Sequence, residues 1–399
     1  MSKRTLCILY IFLGLLSTGL ALSQESPRDF HFGPSGQTTV ALSDSSLIEV
    51  SLNGKGPFKL FFDTGANVNI LNPDLIAQLG LEAVGDPATV LGASGRKIET
   101  KPFRASEVRI GELTLTGQTF YSIPLPLPAS SGVVGAIGYE LMSRVVAQAD
   151  YPHHQLSLFD PSRFTYSGKG EKLELLPCDR SLLVHGRIGK YPADLNLDTG
   201  SISNIGITVN AWFARQNHLP RRAFLHHYYY GSFGGGADGE YNSSLLDRIK
   251  ETCLGQICLQ NTVGSFLQTS TSTGPIAGIL SMEAISRFIL TIDWPHHALY
   301  IEKGSNWQRP AIFNQTGLAV GLPSPDGSLP IDAVYPFSPA KHAHIKAGDR
   351  ILRVNQQPPA STWEITDPAF LQPAGTQILL TIQRGDSTLE IPLKLKDIL

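Results

Sequence analysis

The chain has 399 residues, of which 42% are hydrophobic and 17% charged, with a formal net charge of −2. That is enough apolar material for two or three cored domains and too few charges for a disordered chain. The near-neutral balance, with no basic block, excludes a nucleic-acid binder, which needs a cationic face for phosphates. Only residues 6–22 are long and apolar enough to span a membrane, which excludes a polytopic membrane protein.

In chain order, residues 1–23 read as a secretory signal. Lys3 and Arg4 supply a positive start, residues 6–16 an apolar stretch, and Ala21 and Ser23 the small residues of a cleavage site after Ser23. The alternative is an uncleaved N-terminal anchor; either implies export, to a periplasm or outside the cell. Residues 47–52 alternate apolar and polar, as a half-buried strand does, and residues 59–62 form an apolar strand running into Asp63. Residues 72–79 and 140–146 read as short helices, and 108–115 as a hairpin turning at a glycine.

The chain then repeats itself. Gly54 to Ala66, ending in Asp63-Thr64-Gly65-Ala66, aligns without gaps with Gly189 to Ser201, ending in Asp198-Thr199-Gly200-Ser201, at an offset of 135. Val134-Gly135-Ala136-Ile137-Gly138 aligns with Ala277-Gly278-Ile279-Leu280-Ser281 at an offset of 143, and Asp150-Tyr151-Pro152-His153-His154 with Asp293-Trp294-Pro295-His296-His297 at the same offset. Three blocks in one order indicate two copies of one β-rich unit, with a second short helix predicted over 283–288. Residues 253–258 read as a tight hairpin that sets Cys253 opposite Cys258, where a disulfide and two free thiols both remain open.

An apolar strand ending in Asp-Thr-Gly presents the carboxylate on a sharp turn, with the Thr hydroxyl available to brace the loop. One copy is a weak signal, because the Asp side chain can simply cap a turn. Two copies at equivalent positions can meet about a pseudo-two-fold axis, where Asp63 and Asp198 would share a proton, one acting as general base on a bound water and the other as general acid. The Ser201 hydroxyl is expected to bond the Asp198 carboxylate, which Ala66 cannot do for Asp63, so the shared proton is expected on Asp63. The histidine pairs 153–154, 226–227 and 296–297 raise a zinc site, but a copied hairpin turn accounts for the repeated ones, and no metal is expected. No Gly-x-Ser-x-Gly elbow or phosphate-binding loop accompanies these motifs.

With these residues the chain, over about 40–303, resembles pepsin-type and retropepsin-like aspartic proteases. The resemblance implies a mainly β, bilobal fold of two tandem retropepsin-like units, with Asp63 and Asp198 as catalytic dyad. Thr64, Gly65, Thr199, Gly200 and Ser201 would support the dyad, and the blocks around Gly135 and Gly278 would pass behind it. Ser281 departs from the pattern, standing where the first unit has Gly138. No flap tyrosine of the pepsin kind follows Asp63; the glycine loops 92–95 and 234–239 sit where flaps are expected. Tyr228, Tyr229 and Tyr230 precede the second loop, either lining a cleft or packing elsewhere. Residues 24–41 are too short for a typical pepsin propeptide.

Residues 307–315 read as a linker. Beyond it, Ala347-Gly348-Asp349-Arg350-Ile351-Leu352-Arg353-Val354-Asn355 carries a resemblance to bacterial PDZ domains over about 314–396. It implies that Gly317, Leu318, Ala319 and Val320 form the loop holding a peptide C-terminal carboxylate, the peptide adding as a strand; the alternative is a module that only packs on the preceding lobes. The expected organisation is thus a signal at 1–23, a first lobe at 24–165, a second at 166–305 and a PDZ-like domain with linker at 306–399. The expected activity is that of an exported aspartic endopeptidase, active as a monomer, without cofactor, on peptide or protein substrates. The alternatives are a catalytically silent peptide-binding protein and, from the histidine pairs, a metal-dependent hydrolase.

Overall fold

The computed structural model describes residues 29–91, 97–125, 127, 129–176, 180–220, 225–230, 241–269, 275–361 and 366–399. The signal at 1–23, the glycine loops 92–95 and 234–239, and Cys178 lie outside the described residues, as do the side chains of Tyr228, Tyr229 and Tyr230.

Each repeat folds as a closed β unit. In the first, Leu47–Leu52 buries Ile48, Val50 and Leu52 and turns its alternate residues outward, the period of two that a pleated strand imposes. It pairs antiparallel with Lys55–Phe62, beside which Val133–Ile137 runs parallel, followed by Asn69–Leu71. The hairpin Pro102–Ile110 and Leu113–Ser122 turns at Gly111 (φ +56°) and closes back on the first strand, Ser51 opposite Arg109. The second unit repeats this order with Leu183–Ile188, Tyr191–Leu197, Gly278–Leu280, Ile207–Val209 and the hairpin Tyr241–Leu254 and Ile257–Leu267, and Arg187 opposite Cys253 closes it. Cys253 and Cys258 face each other across that hairpin as a disulfide, its Cα atoms 4.0 Å apart.

The units join through a six-stranded sheet. Val146–Asp150 of the first pairs antiparallel with Phe288–Asp293 of the second, and Gln148 stands opposite its own repeat equivalent, Thr291, with a 2.9 Å side-chain hydrogen bond. Equivalent residues meet directly only at a two-fold axis, so the pseudo-dyad passes between these two. The repeated Asp-x-Pro-His-His blocks are the tight turns of this sheet. Asp150 and Asp293 cap short 3-10 helices by accepting from the His153 and His296 N–H groups, and each histidine ring bonds the same aspartate.

Helices are shorter than the sequence suggests. Tyr139–Met142 and Met282–Ile285 replace the helices expected over 140–146 and 283–288. Val146 and Phe288 go instead to the central sheet, whose pairing outweighs local helix preference, and Val145 is buried just before it. Pro73–Leu79 forms as expected, with proline in its first turn and left-handed Gly80 at its end. Ala211–Gln216, capped by Asn210, was not anticipated.

The tail forms its own five-stranded sheet, in the order Leu318–Val320, Leu329–Val334, Arg350–Val354, Gln377–Arg384 and Ser387–Lys394, with a separate core around Phe370, Leu329 and Leu380. The stretch read as a linker is packed. Ala311 and Phe313 join Tyr335 of the tail against Ile205, Leu246 and Val263 of the second unit, with Ala319, Ile398 and Leu399 at the margin. Arg248 pairs with Asp397 at 3.0 Å and donates to the Ala311 carbonyl, while Asn204 Nδ2 donates to Thr366 Oγ1 at 2.9 Å.

Tyr335 is buried in this junction and not in the tail's own core, so Tyr335→Ala is expected to loosen the junction by roughly 3 kcal/mol while leaving both cores intact. Limited proteolysis should then cut within 304–312, and thermal denaturation should split into two transitions; an unchanged single transition would show that the tail is held otherwise.

Candidate active site

The two Asp-Thr-Gly turns meet at the pseudo-dyad. Asp63 follows Lys55–Phe62 and donates its N–H to the Ile137 carbonyl at 2.9 Å; Asp198 follows Tyr191–Leu197 and donates to Leu280 at 3.0 Å. The strands predicted to back the loops therefore do so, each holding the backbone at its aspartate. The threonines clasp across the axis. Thr64 Oγ1 donates to Leu197 O at 2.6 Å and accepts from the Thr199 N–H at 3.0 Å; Thr199 Oγ1 donates to Phe62 O at 2.5 Å and accepts from the Thr64 N–H at 3.0 Å. Both threonines are fully buried.

The glycines pack on the opposite carboxyls. A Cβ on Gly65 would lie 2.5 Å from Asp198 Cγ, and one on Gly200 would overlap the Asp63 carboxyl. No side chain fits at either position while the aspartates stay together. Gly138 is constrained in the same way, because a Cβ there would fall on the Asp63 and Ala66 carbonyls. In the second unit Ser281 is accommodated, and its hydroxyl donates to the Ile205 carbonyl. That difference follows from the loops. Six positions separate Asp63 from the strand at Asn69, but nine separate Asp198 from the strand at Ile207. The longer second loop includes Asn204 and Ile205, the residues that touch the tail.

The two carboxyls are in hydrogen-bonding contact, Asp63 buried and Asp198 half-buried. Burial raises Asp63 above the ordinary carboxylate range, while the N–H groups of Gly65, Ala66 and Gly200 and the Asp198 carboxyl pull it back. Asp198 is raised well above that range, first by burial and then by the Asp63 charge, against N–H groups of only Gly200 and Ser201. Both carboxyls are thus raised, and the coupled pair holds one proton between them. The bond Asp198 Oδ1 accepts from Ser201 comes from the backbone N–H, at 3.1 Å, and not from the hydroxyl that the sequence suggested.

Two hairpins, Ala88–Leu91 with Lys97–Thr100 and Leu225–Tyr230 with Tyr241–Leu254, flank in sequence the glycine-rich segments expected as flaps. Val90 and Ile98 of the first hairpin pack with Val68 and Ile202, which follow the two motifs, around Phe61 and Ile70. Apolar surface from the first hairpin and both turns thus converges next to the dyad.

The proposed carboxylate loop of the tail is partly closed on itself. Gly317 takes the left-handed conformation (φ +76°), where a Cβ would overlap Ser338. The Leu318 N–H is bonded to Thr316 Oγ1 at 3.1 Å, and the Leu318 carbonyl accepts from Asn314. Leu318, Ala319 and Val320 form the edge strand of the five-stranded sheet. Sequence reasoning passed over Ser46 and Tyr151, which lie behind Asp63, although aligning the repeats sets Tyr151 against Trp294 and so marks a difference between the halves.

Residues 48–141, which include Asp63 and the backing strand, match the family model described as aspartyl protease, and residues 331–384 match that of the PDZ domain. No curated protein matches the chain. The first repeat is thus an aspartyl-protease domain, and the tail that docks on the second is a PDZ domain.

Proposed function

We propose that this protein is an exported aspartic endopeptidase that hydrolyses peptide bonds with one water held between Asp63 and Asp198. The observation that carries this reading is the pair of carboxyls in contact, held there by the reciprocal threonine clasp. A turn that merely capped its own backbone would not need its carboxyl brought against a second one at a symmetry axis.

The pair divides the two roles. The ionised partner takes a proton from water as the oxygen attacks the peptide carbonyl carbon. The protonated partner gives its proton to the carbonyl oxygen, so the tetrahedral adduct forms without net charge build-up. Proton return to the amide nitrogen then breaks the C–N bond. Both half-sites come from one chain, so the active species is a monomer. The PDZ domain supports a second contact with a peptide or protein, at the edge strand Leu318–Val320. Export is supported by the charged and apolar pattern of residues 1–23 and by the Cys253–Cys258 disulfide, which persists in an oxidising compartment.

Asp63→Asn and Asp198→Asn are each expected to lower kcat on a peptide library by at least 1,000-fold with no loss of fold, measured with the purified monomer isolated by sedimentation. Near-wild-type cleavage in either variant, or cleavage by dimers alone, would overturn the assignment and favour a peptide-binding role.

The raised carboxyls also set a stability signature independent of turnover. In the unfolded chain Asp198 titrates near about 3.9; in the folded chain it titrates higher, so the folded state holds more protons and stability falls as pH rises between those values. The stabilisation is complete below the unfolded value and lost above the folded one. Asp198→Asn, which cannot ionise, should therefore raise Tm relative to wild type at pH 7 and lose that advantage near pH 3. Equal differences at both pH values would show that the site is solvated.

A further inference from the structure

Behind Asp63 four oxygen atoms meet in the dry interior. The Phe62 carbonyl, one bond before the catalytic residue, accepts from Ser46 Oγ at 2.7 Å and from Thr199 Oγ1 at 2.5 Å. The Tyr151 hydroxyl lies 3.0 Å from Ser46 Oγ and faces the Thr199 side chain. Ser46 and Thr199 are fully buried and Tyr151 is 3% exposed. The Ser46 and Thr199 protons both go to Phe62 O, so the Tyr151 proton, given to Ser46 Oγ, makes the third hydrogen bond around a ring of four oxygens. The ring joins three pieces of chain: the turn that opens the first strand of unit one, the catalytic turn of unit two, and, through Tyr151, the central six-stranded sheet.

The second half-site has no such ring. Its counterpart of Ser46 is Leu182, whose carbonyl accepts from Leu197 N–H just as Ser46 O accepts from Phe62 N–H. Its counterpart of Tyr151 is Trp294, which packs edge-on against Tyr139 with ring centroids 5.2 Å apart. Among the described residues, Leu197 O accepts a hydroxyl from Thr64 alone.

Resting on the endopeptidase reading above, we propose that Tyr151 is a positioning residue for Asp63: its hydroxyl closes the oxygen ring that fixes the Phe62–Asp63 peptide plane. One end of that plane is held by the ring at Phe62 O, and the other by the Asp63 N–H bond to Ile137 O. Buried hydroxyls must each find a partner, and in a low-dielectric interior the bonds of a ring reinforce one another. Removing the Tyr151 oxygen leaves Ser46 and Thr199 sharing one carbonyl with no third member, and the plane gains freedom. Asp63 gives up its alignment to the attacking water, a transition-state interaction, so the loss falls on kcat and not on KM.

The test uses the full chain. Tyr151→Phe removes one atom; kcat should fall about ten-fold with KM changed less than two-fold, at a temperature where circular dichroism shows the variant folded. Ser46→Ala, which opens the ring at another oxygen, should give the same split, and the double variant should be no worse than about two-fold beyond Tyr151→Phe, since both break one ring. Trp294→Phe is the control: it loosens the equivalent turn of the other unit without touching a ring and should leave kcat within about two-fold. If wild type cleaves peptides and folded Tyr151→Phe or Ser46→Ala keeps wild-type kcat, or if Trp294→Phe loses as much, the positioning role is overturned while the endopeptidase reading stands. A wild-type chain that cleaves nothing overturns both.

Discussion

Two like-charged groups do not stay together in a protein interior unless something holds them, and here the holding is done by four hydrogen bonds between Thr64 and Thr199 and the strands that precede them. Each threonine satisfies a backbone carbonyl and a backbone N–H that belong to the other unit or to the turn facing it. The bonds are local in space and remote in sequence, 133 to 137 residues apart. The chain therefore cannot form either half-site fully before both units exist. The glycines, the backing strands and the central sheet are all consequences of bringing those turns to contact.

The closeness also sets the electrostatics. A carboxylate moved out of water is costly, and a second one beside it more so, which keeps one proton in the pair over a wide range of pH. Backbone N–H groups of Gly65 at Asp63 and of Gly200 and Ser201 at Asp198 temper that cost. Backbone donors of this kind follow from how a loop curls and not from which side chains it carries.

That is also where the sequence stops being legible. The two Asp-Thr-Gly turns, the backing glycine blocks and the hairpin turns at Asp150 and Asp293 were readable because the repeat supplied each motif with an internal control. The helices over 140–146 and 283–288 were overextended because Val146 and Phe288 have no local mark telling core sheet from helix. The Ser201 bond to Asp198 was expected from the hydroxyl because a serine side chain is visible in a sequence and the direction of its N–H is not. Ser46 carries no motif at all: it takes a left-handed backbone (φ +60°) and becomes meaningful only beside Tyr151. The packed stretch at 307–315 was read as a linker because its buried residues, Ala311 and Phe313, find their partners in both flanking domains instead of in a periodic pattern of their own.

The three residues added to the second Asp-Thr-Gly turn, with the domain seated on them, bear on how, under the proposed function, a bound chain is oriented. A cleft made by two identical halves presents the same walls to a peptide whichever way it runs, so direction carries no information. In this protein the half around Asp63 is backed by an oxygen ring and has a short turn, while the half around Asp198 has a longer turn whose Asn204 and Ile205 are already committed to another domain. The two ends of the cleft are chemically distinct, and an extended chain laid across it has one polarity, amino end to carboxyl end, that the site can tell from the other.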